Sequence, residues 1–557
     1  MSGNGSADLI FVNGAVYTVD AVRSWAQAVA VKDGRIAAVG TDAQIADLRG
    51  PGTEVVDLAG RMLLPGFQDS HVHPVGGGQD RLQCELHDAH DRDEYLRIIE
   101  TYAAAHPERE WILGGGWSMD VFPGGTPTKE LLDRIVPDRL VFLPNRDGHS
   151  MWVNSRTLEK AGITKDTPDP ADGRIERDEH GEPSGTLHEG AGGLVDSLVP
   201  PSTAEELMAG LLEGQRYLHS LGITGWQDAI VGVLSWADSL GTYVAAASDG
   251  TLTARVVGAL WWDRKRGLEQ IPDLIEQREA GRAGRFNATR VKIMQDGVIE
   301  NFTAATLTPY LDAHGHPTDN AGISFVEPEL LKEVVARLDA EGFQVHFHAL
   351  GDRAVREGLD AIEVARERNG PNDHRHHLAH IQVVHPDDIP RFRRLGAVAN
   401  GQPLWAMNEG QMSELTIPFI GPERAGWQYP FQSLKRAGAV LAFGSDWSVS
   451  SPDPLEEMHV AVNRRAPASY TYAEHSEDME TFLPDERVDL PTAIAAFTMG
   501  SAYVNHLETD TGSIEPGKFA DLAVVDRNLF AHPVDEIADA TVEATFVEGR
   551  RVYDAAS

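Results

Sequence analysis

The chain has 557 residues, a formal net charge of −37 and 42% hydrophobic residues. That balance supplies a large core and argues against disorder, and against nucleic acid or an anionic membrane surface as partner. A single cysteine, Cys84, excludes an intrachain disulfide, thiolate zinc sites and Cys-x-x-Cys redox chemistry, and suits a reducing cytosol.

The opening residues, Met1 to Asp8, lack the basic and apolar regions of a secretory leader. The chain also has no run of about 18 apolar residues. A cytoplasmic protein without a membrane span is therefore expected. Residues 1–62 read as a small β-unit. Apolar runs at Leu9–Val12, Ala28–Val31 and Ile36–Val39 are separated by the turn signals Asn13-Gly14 and Lys32-Asp33-Gly34. The other end, residues 509–557, has the same character, with Phe519–Val525 followed by Val542–Tyr553. One β-sandwich built from both termini is the expectation.

Between them, strand and helix signals alternate. Leu63–His71 is the first candidate strand, within a barrel segment 63–77 that follows the N-terminal unit. Further strands are expected at 224–229, 254–259, 289–295, 343–348, 378–381, 397–400 and 440–444, which makes eight. Amphipathic helices at 330–338 and 354–368 fit between pairs of them. This is the pattern of an α/β fold, a TIM-type (β/α)8 barrel occupying 63–77 and 223–508. Residues 78–222 are too long for an ordinary connection and read as an insertion subdomain over the barrel mouth.

In such a barrel the reactive groups sit at the C-terminal ends of the strands. The first strand runs into His71-Val72-His73. Residues two apart on a strand point to the same side, so both imidazoles can reach one metal ion. Lys292 lies among apolar residues of the fourth strand, His346 and His348 on the fifth, His380 on the sixth, and Asp446 after Gly444-Ser445 at the end of the eighth. Each has an ordinary reading: a snorkelling lysine, a helix-capping aspartate, and one structural histidine of the 346/348 pair. His348, nearer the strand end, is taken as the ligand. His374, His376 and His377 adjoin a charged stretch and read as solvated loop residues. Taken together, the strand-end residues point to a metal centre with zinc as first choice.

These stretches resemble the amidohydrolase superfamily, and within it amidohydrolase family 3. The likeness is carried by the Leu63–His73 strand, Val291–Gly297, His346–Asp352, His380 with His385-Pro386-Asp387-Asp388-Ile389, and Gly444-Ser445-Asp446-Trp447. Asp147-Gly148-His149, Gly185-Thr186-Leu187-His188-Glu189 and Gly512–Ala523 add to it, so nearly the whole chain is covered. The resemblance implies that His71 and His73 bind one metal ion and that His348 and His380 bind a second. It implies that a carboxylated Lys292 bridges them, and that Asp446 touches the first ion and shuttles a proton. One or two divalent ions are implied. The implied reaction is hydrolysis of a non-peptide amide C–N bond, of the kind known in this branch for N-substituted formamides. A lactone, carbamate or urea substrate, a deaminase, or a non-catalytic barrel are the alternatives, and Lys292 weighs against the deaminase. Trp117, His149, Trp152, Trp405 and Trp427 are the candidates to line a small-molecule pocket. A homodimer is left open.

Overall fold

The computed structural model describes residues 5–232, 239–470 and 480–556. Its centre is a sheet of eight parallel strands. These are β1 (Phe67–Val72), β2 (Ile223–Val231), β3 (Arg255–Trp261), β4 (Phe286–Met294), β5 (Gln344–Ala349), β6 (His377–His380), β7 (Val398–Gly401) and β8 (Val440–Phe443). They pair in chain order, with helices such as Pro328–Ala340 and Asp352–Asn369 between them. Both helices follow the expected apolar periodicity, and Gly342, at φ +78°, ends the connection out of the first.

Among the described residues no ladder joins β1 to β8. The seam closes through side chains and loop backbone at the C-terminal end. Asp69 Oδ1 accepts from Ser445 N at 3.1 Å, Asp69 Oδ2 accepts from Ser445 Oγ at 2.5 Å, and Asp446 N donates to His71 O at 2.7 Å.

The first expected strand is divided. Met62–Pro65 belongs to a six-stranded sheet made from both termini, where Leu63 and Leu64 lie opposite Val524 and Ala523. Only from Phe67 does the chain pair with Ile223 of β2. The break is local chemistry: Pro65 has no N–H for a ladder, and a Cβ at Gly66 would lie 2.3 Å from Thr224 Oγ1. A four-stranded sheet of Arg35–Gly40, Ala28–Lys32, Leu9–Val12 and Glu54–Asp57 packs against the mixed sheet, with Phe11, Val29, Leu63, Leu522 and Phe546 in the shared core.

The long segment after β1 folds on its own sheet. Its strands are Cys84–Glu85, Trp111–Gly115, Leu140–Pro144, Ser150–Val153, Gly173–Arg177 and Pro183–Glu189. The helix Ala204–Ser220, assigned to the insertion from sequence, instead puts Leu207, Leu211 and Leu218 into the barrel core. It crosses the helix Pro74–Arg81 so closely that a Cβ at Gly78 would meet Gly210 O at 1.8 Å. Among the described residues no helix is long and apolar enough to cross a membrane.

Candidate metal centre

Four strand ends and one loop converge at the barrel mouth. His71 is the fifth residue of β1, and His73 begins the turn that follows. The loop after β8 lies against them: His73 N donates to Trp447 O at 2.8 Å. Gly444 is required there, because a Cβ would lie 2.4 Å from His71 N. Asp446 sits in the left-handed region at φ +56°, a conformation Asp tolerates better than most residues. The result is a tight group. Asp446 Oδ1 is 3.2 Å from His71 Nε2 and 2.9 Å from His73 Nε2, and one donor atom from each of the three residues falls within 4.8 Å of the others. Asp446 Oδ1 makes no hydrogen bond of acceptable geometry despite being buried. Donor atoms about 3 Å apart, with an orphaned carboxylate oxygen among them, suit a cation bound at about 2.0–2.2 Å from each.

Three further residues complete the ring around this group. Lys292, from β4, is 2% exposed and brings Nζ to 3.2 Å from His71 Nε2. His380, at the end of β6, places Nδ1 3.8 Å from Asp446 Oδ2. The ring of His348, from β5, lies 4.5 Å from that of His380.

The imidazoles are oriented from behind. His71 Nδ1 is 2.8 Å from His346 Nε2, His348 Nδ1 is 3.3 Å from Asp296 Oδ1, and His380 Nδ1 is 3.1 Å from Gln402 Oε1. For His71 this leaves Nε2, 3.2 Å from both Asp446 Oδ1 and Lys292 Nζ, free for the centre; outer partners of this kind fix the tautomer of a ligating histidine. Asp296 is itself anchored by the backbone N–H groups of Ala305, Leu350 and Gly351. His346 thus supports His71. Asp296 and Gln402 are functional neighbours that the sequence reading did not single out.

Burial sets the charges. It brings His71 down to about 3 and holds His348 and His380 well below the usual imidazole range, so all three are neutral at pH 7. It also brings Lys292 down to about 7, so a large fraction is free amine. Burial works against ionisation of Asp446, but the facing His71 and His73 nitrogens outweigh it and hold the carboxyl well below its normal value.

Of the pocket candidates, two reach the centre. His149, from the insertion, has its ring 5.5 Å from that of His348. Its Nδ1 is 3.0 Å from Glu189, which also accepts from Thr303 Oγ1 at 2.7 Å. Burial disfavours the imidazolium, yet Glu189 more than compensates and raises His149 to about 9. Trp405, in the turn after β7, stacks on His380 with 5.3 Å between centroids and 13° between planes. Trp427 stands further off, against His385 at 4.8 Å. Trp117 and Trp152 are fully buried in the insertion's core with Phe122, and their indole N–H groups are spent on Leu143 O and Thr128 O. Core packing accounts for both, which corrects their assignment to the pocket wall.

His376 and His377 are also corrected. Neither is solvated: they are 4% and 0% exposed. His376 lies 2.9 Å from Asp339 Oδ1 and accepts from Val345 N, while His377 opens β6 with its ring 4.1 Å from that of His346. Strand alternation turns His377 inward, one layer below the centre, whatever the charge of the residues that precede it.

The comparisons with known proteins agree with this geometry. The amidohydrolase family profile, family 3, matches residues 54–553. Putative amidohydrolase YtcJ of Bacillus subtilis (strain 168) is 30% identical over 550 residues, covering 98% of this chain and 99% of that protein. N-substituted formamide deformylase of Arthrobacter pascens is 28% identical over 560 residues, covering 98% of each. An uncharacterized metal-dependent hydrolase from Pyrococcus furiosus superposes with a TM-score of 0.69 at 26% identity, covering 93% of this chain and 99% of that one. With a His-His-Asp group at the mouth of such a barrel, the chain belongs to amidohydrolase family 3 and is a metal-dependent hydrolase.

Proposed function

We propose that the enzyme hydrolyses the C–N bond of a small non-peptide amide, an N-substituted formamide or a close relative. The observation that carries the reading is the cluster of buried imidazoles, each held by a neighbouring side chain, gathered around Asp446 and Lys292. Zinc suits a donor set of neutral imidazoles and carboxylate oxygens. His71, His73 and Asp446 would hold one ion, and His348 and His380 a second. The free amine of Lys292 would add to the carbon of carbon dioxide and lose a proton, giving a carbamate whose single negative charge, shared by two oxygens, would add an anionic ligand to the centre. When bound, the metal supplies Lewis acidity and lowers the pKa of a water to roughly 7.

The chain's own groups then divide the work. Asp446, ionised and rigidly placed, takes the proton of the attacking water and returns it to the departing nitrogen. The His149 imidazolium is poised to donate to the substrate carbonyl oxygen as negative charge develops there. Trp405 gives an apolar wall beside His380. The choice of amide is supported by the deformylase that this chain resembles along 98% of its length.

The test is a panel of N-substituted formamides, longer acyl amides, carbamates and lactones assayed on zinc-loaded protein. Formate and amine should be released from at least one formamide with kcat/KM above about 10⁴ M⁻¹s⁻¹. A lactone or carbamate turned over about a hundredfold faster than every amide would overturn the substrate class while keeping the centre.

A further inference from the structure

The end of the barrel opposite the metal centre has a cavity of about 340 Å³, lined by residues including Asn287, Thr289, Arg290, Gln344, Asn505 and His506. That size falls within the range of about 300–1,000 Å³ typical of small-molecule sites. The lining comes from the N-terminal halves of β4 and β5 and from the turn after the helix Ser501–Val504.

Two of these residues are unfinished. Arg290 is 5% exposed. Its guanidinium donates to Gln344 Oε1 at 2.7 Å, to Thr289 Oγ1 and, at 3.5 Å, to Val504 O. These neutral groups orient the cation without balancing it, and among the described residues no carboxylate pairs with it. The charge acting on it is another guanidinium, Arg375, whose own charge is met by Asp373 and Glu508 at 2.7 and 2.8 Å. Asn505 is 2% exposed, and neither its Oδ1 nor its Nδ2 has a hydrogen-bond partner among the described residues. A buried amide with both ends unsatisfied is rare unless something outside the chain completes it. A water could satisfy the amide but would leave the buried charge of Arg290 uncompensated. An anion satisfies both, and guanidinium and amide N–H groups together make an oxyanion cradle.

We propose that this pocket binds a small oxyanion, a phosphate or carboxylate group held by Arg290 and the Asn505 amide, remote from the metal centre. In a chain of net charge −37, a basic pocket would be kept for such a ligand.

The experiment is titration calorimetry of the metal-loaded full chain with inorganic phosphate and, separately, acetate. The variants are Asn505→Asp and His506→Glu; His506 is exposed, so its replacement should not disturb folding. The expected result is saturable one-site binding of at least one anion. It should weaken at least about tenfold in both variants, since each puts a carboxylate beside the bound anion and like charges repel. Turnover should be unchanged, and binding should persist after the metal is chelated. The proposal is overturned if neither anion binds, if wild type and both variants bind alike, or if binding disappears with the metal, which would place the anion at the catalytic centre.

Discussion

Replacing Asp446 with asparagine should leave metal bound while lowering kcat by about 10²–10⁴-fold, the range expected when a positioned proton carrier is removed. The substitution keeps shape and one ligand oxygen. The loop should hold as well, because it is fixed by backbone and neighbouring groups: Asp446 N to His71 O at 2.7 Å, and Ser445 on Asp69. What disappears is the ionised carboxylate that His71 and His73 keep deprotonated. An amide can accept no proton at neutral pH, so the attacking water and the departing nitrogen both lose their partner. Metal content and kcat measured on one preparation separate the two roles. Near-normal turnover with full metal would remove Asp446 from proton transfer.

Lys292→Arg should be at least as damaging, with turnover down by more than about 10³-fold and metal content reduced. Burial brings Lys292 to about 7 and so makes it a free amine much of the time. Arginine stays charged at any accessible pH. It would place a permanent cation beside His71 Nε2, now 3.2 Å from Nζ, where a divalent ion has to sit. It also cannot form the carbamate. Lys292→Ala distinguishes these effects: if a carbamate bridges the site, added short carboxylates should restore part of the activity by filling the vacated space. Full activity of the arginine variant would show that position 292 neither bridges nor neutralises.

The sequence made the barrel legible because strand periodicity and strand-end chemistry are local. Lys292 could be picked out as a lone charge inside an apolar strand, and His348, His380 and Asp446 because each lies at or just after the end of one; the structure draws all four around His71 and His73. The supporting groups were harder to see. Gln402 serves His380 only because β6 and β7 are neighbours, and Asp296 serves His348 only because β4 and β5 are. No spacing along the chain encodes either pairing. The tryptophans show the same limit from the other side. Trp405 sits in a loop at the C-terminal end of a barrel strand and stacks on His380, whereas Trp117 and Trp152 fill a core inside the insertion. Composition alone gives all three the same appearance. The split at Pro65-Gly66 was readable in principle, because a residue without an N–H followed by one without a Cβ marks a change of sheet.

The proposed hydrolysis depends on a divalent ion held by His71, His73 and Asp446. Anomalous diffraction from crystals of the zinc-loaded enzyme, collected on both sides of the zinc edge, tests this most directly. The prediction is a peak about 2.0–2.2 Å from His71 Nε2, His73 Nε2 and an Asp446 oxygen. An empty position there, or zinc bound only at other residues, would contradict it.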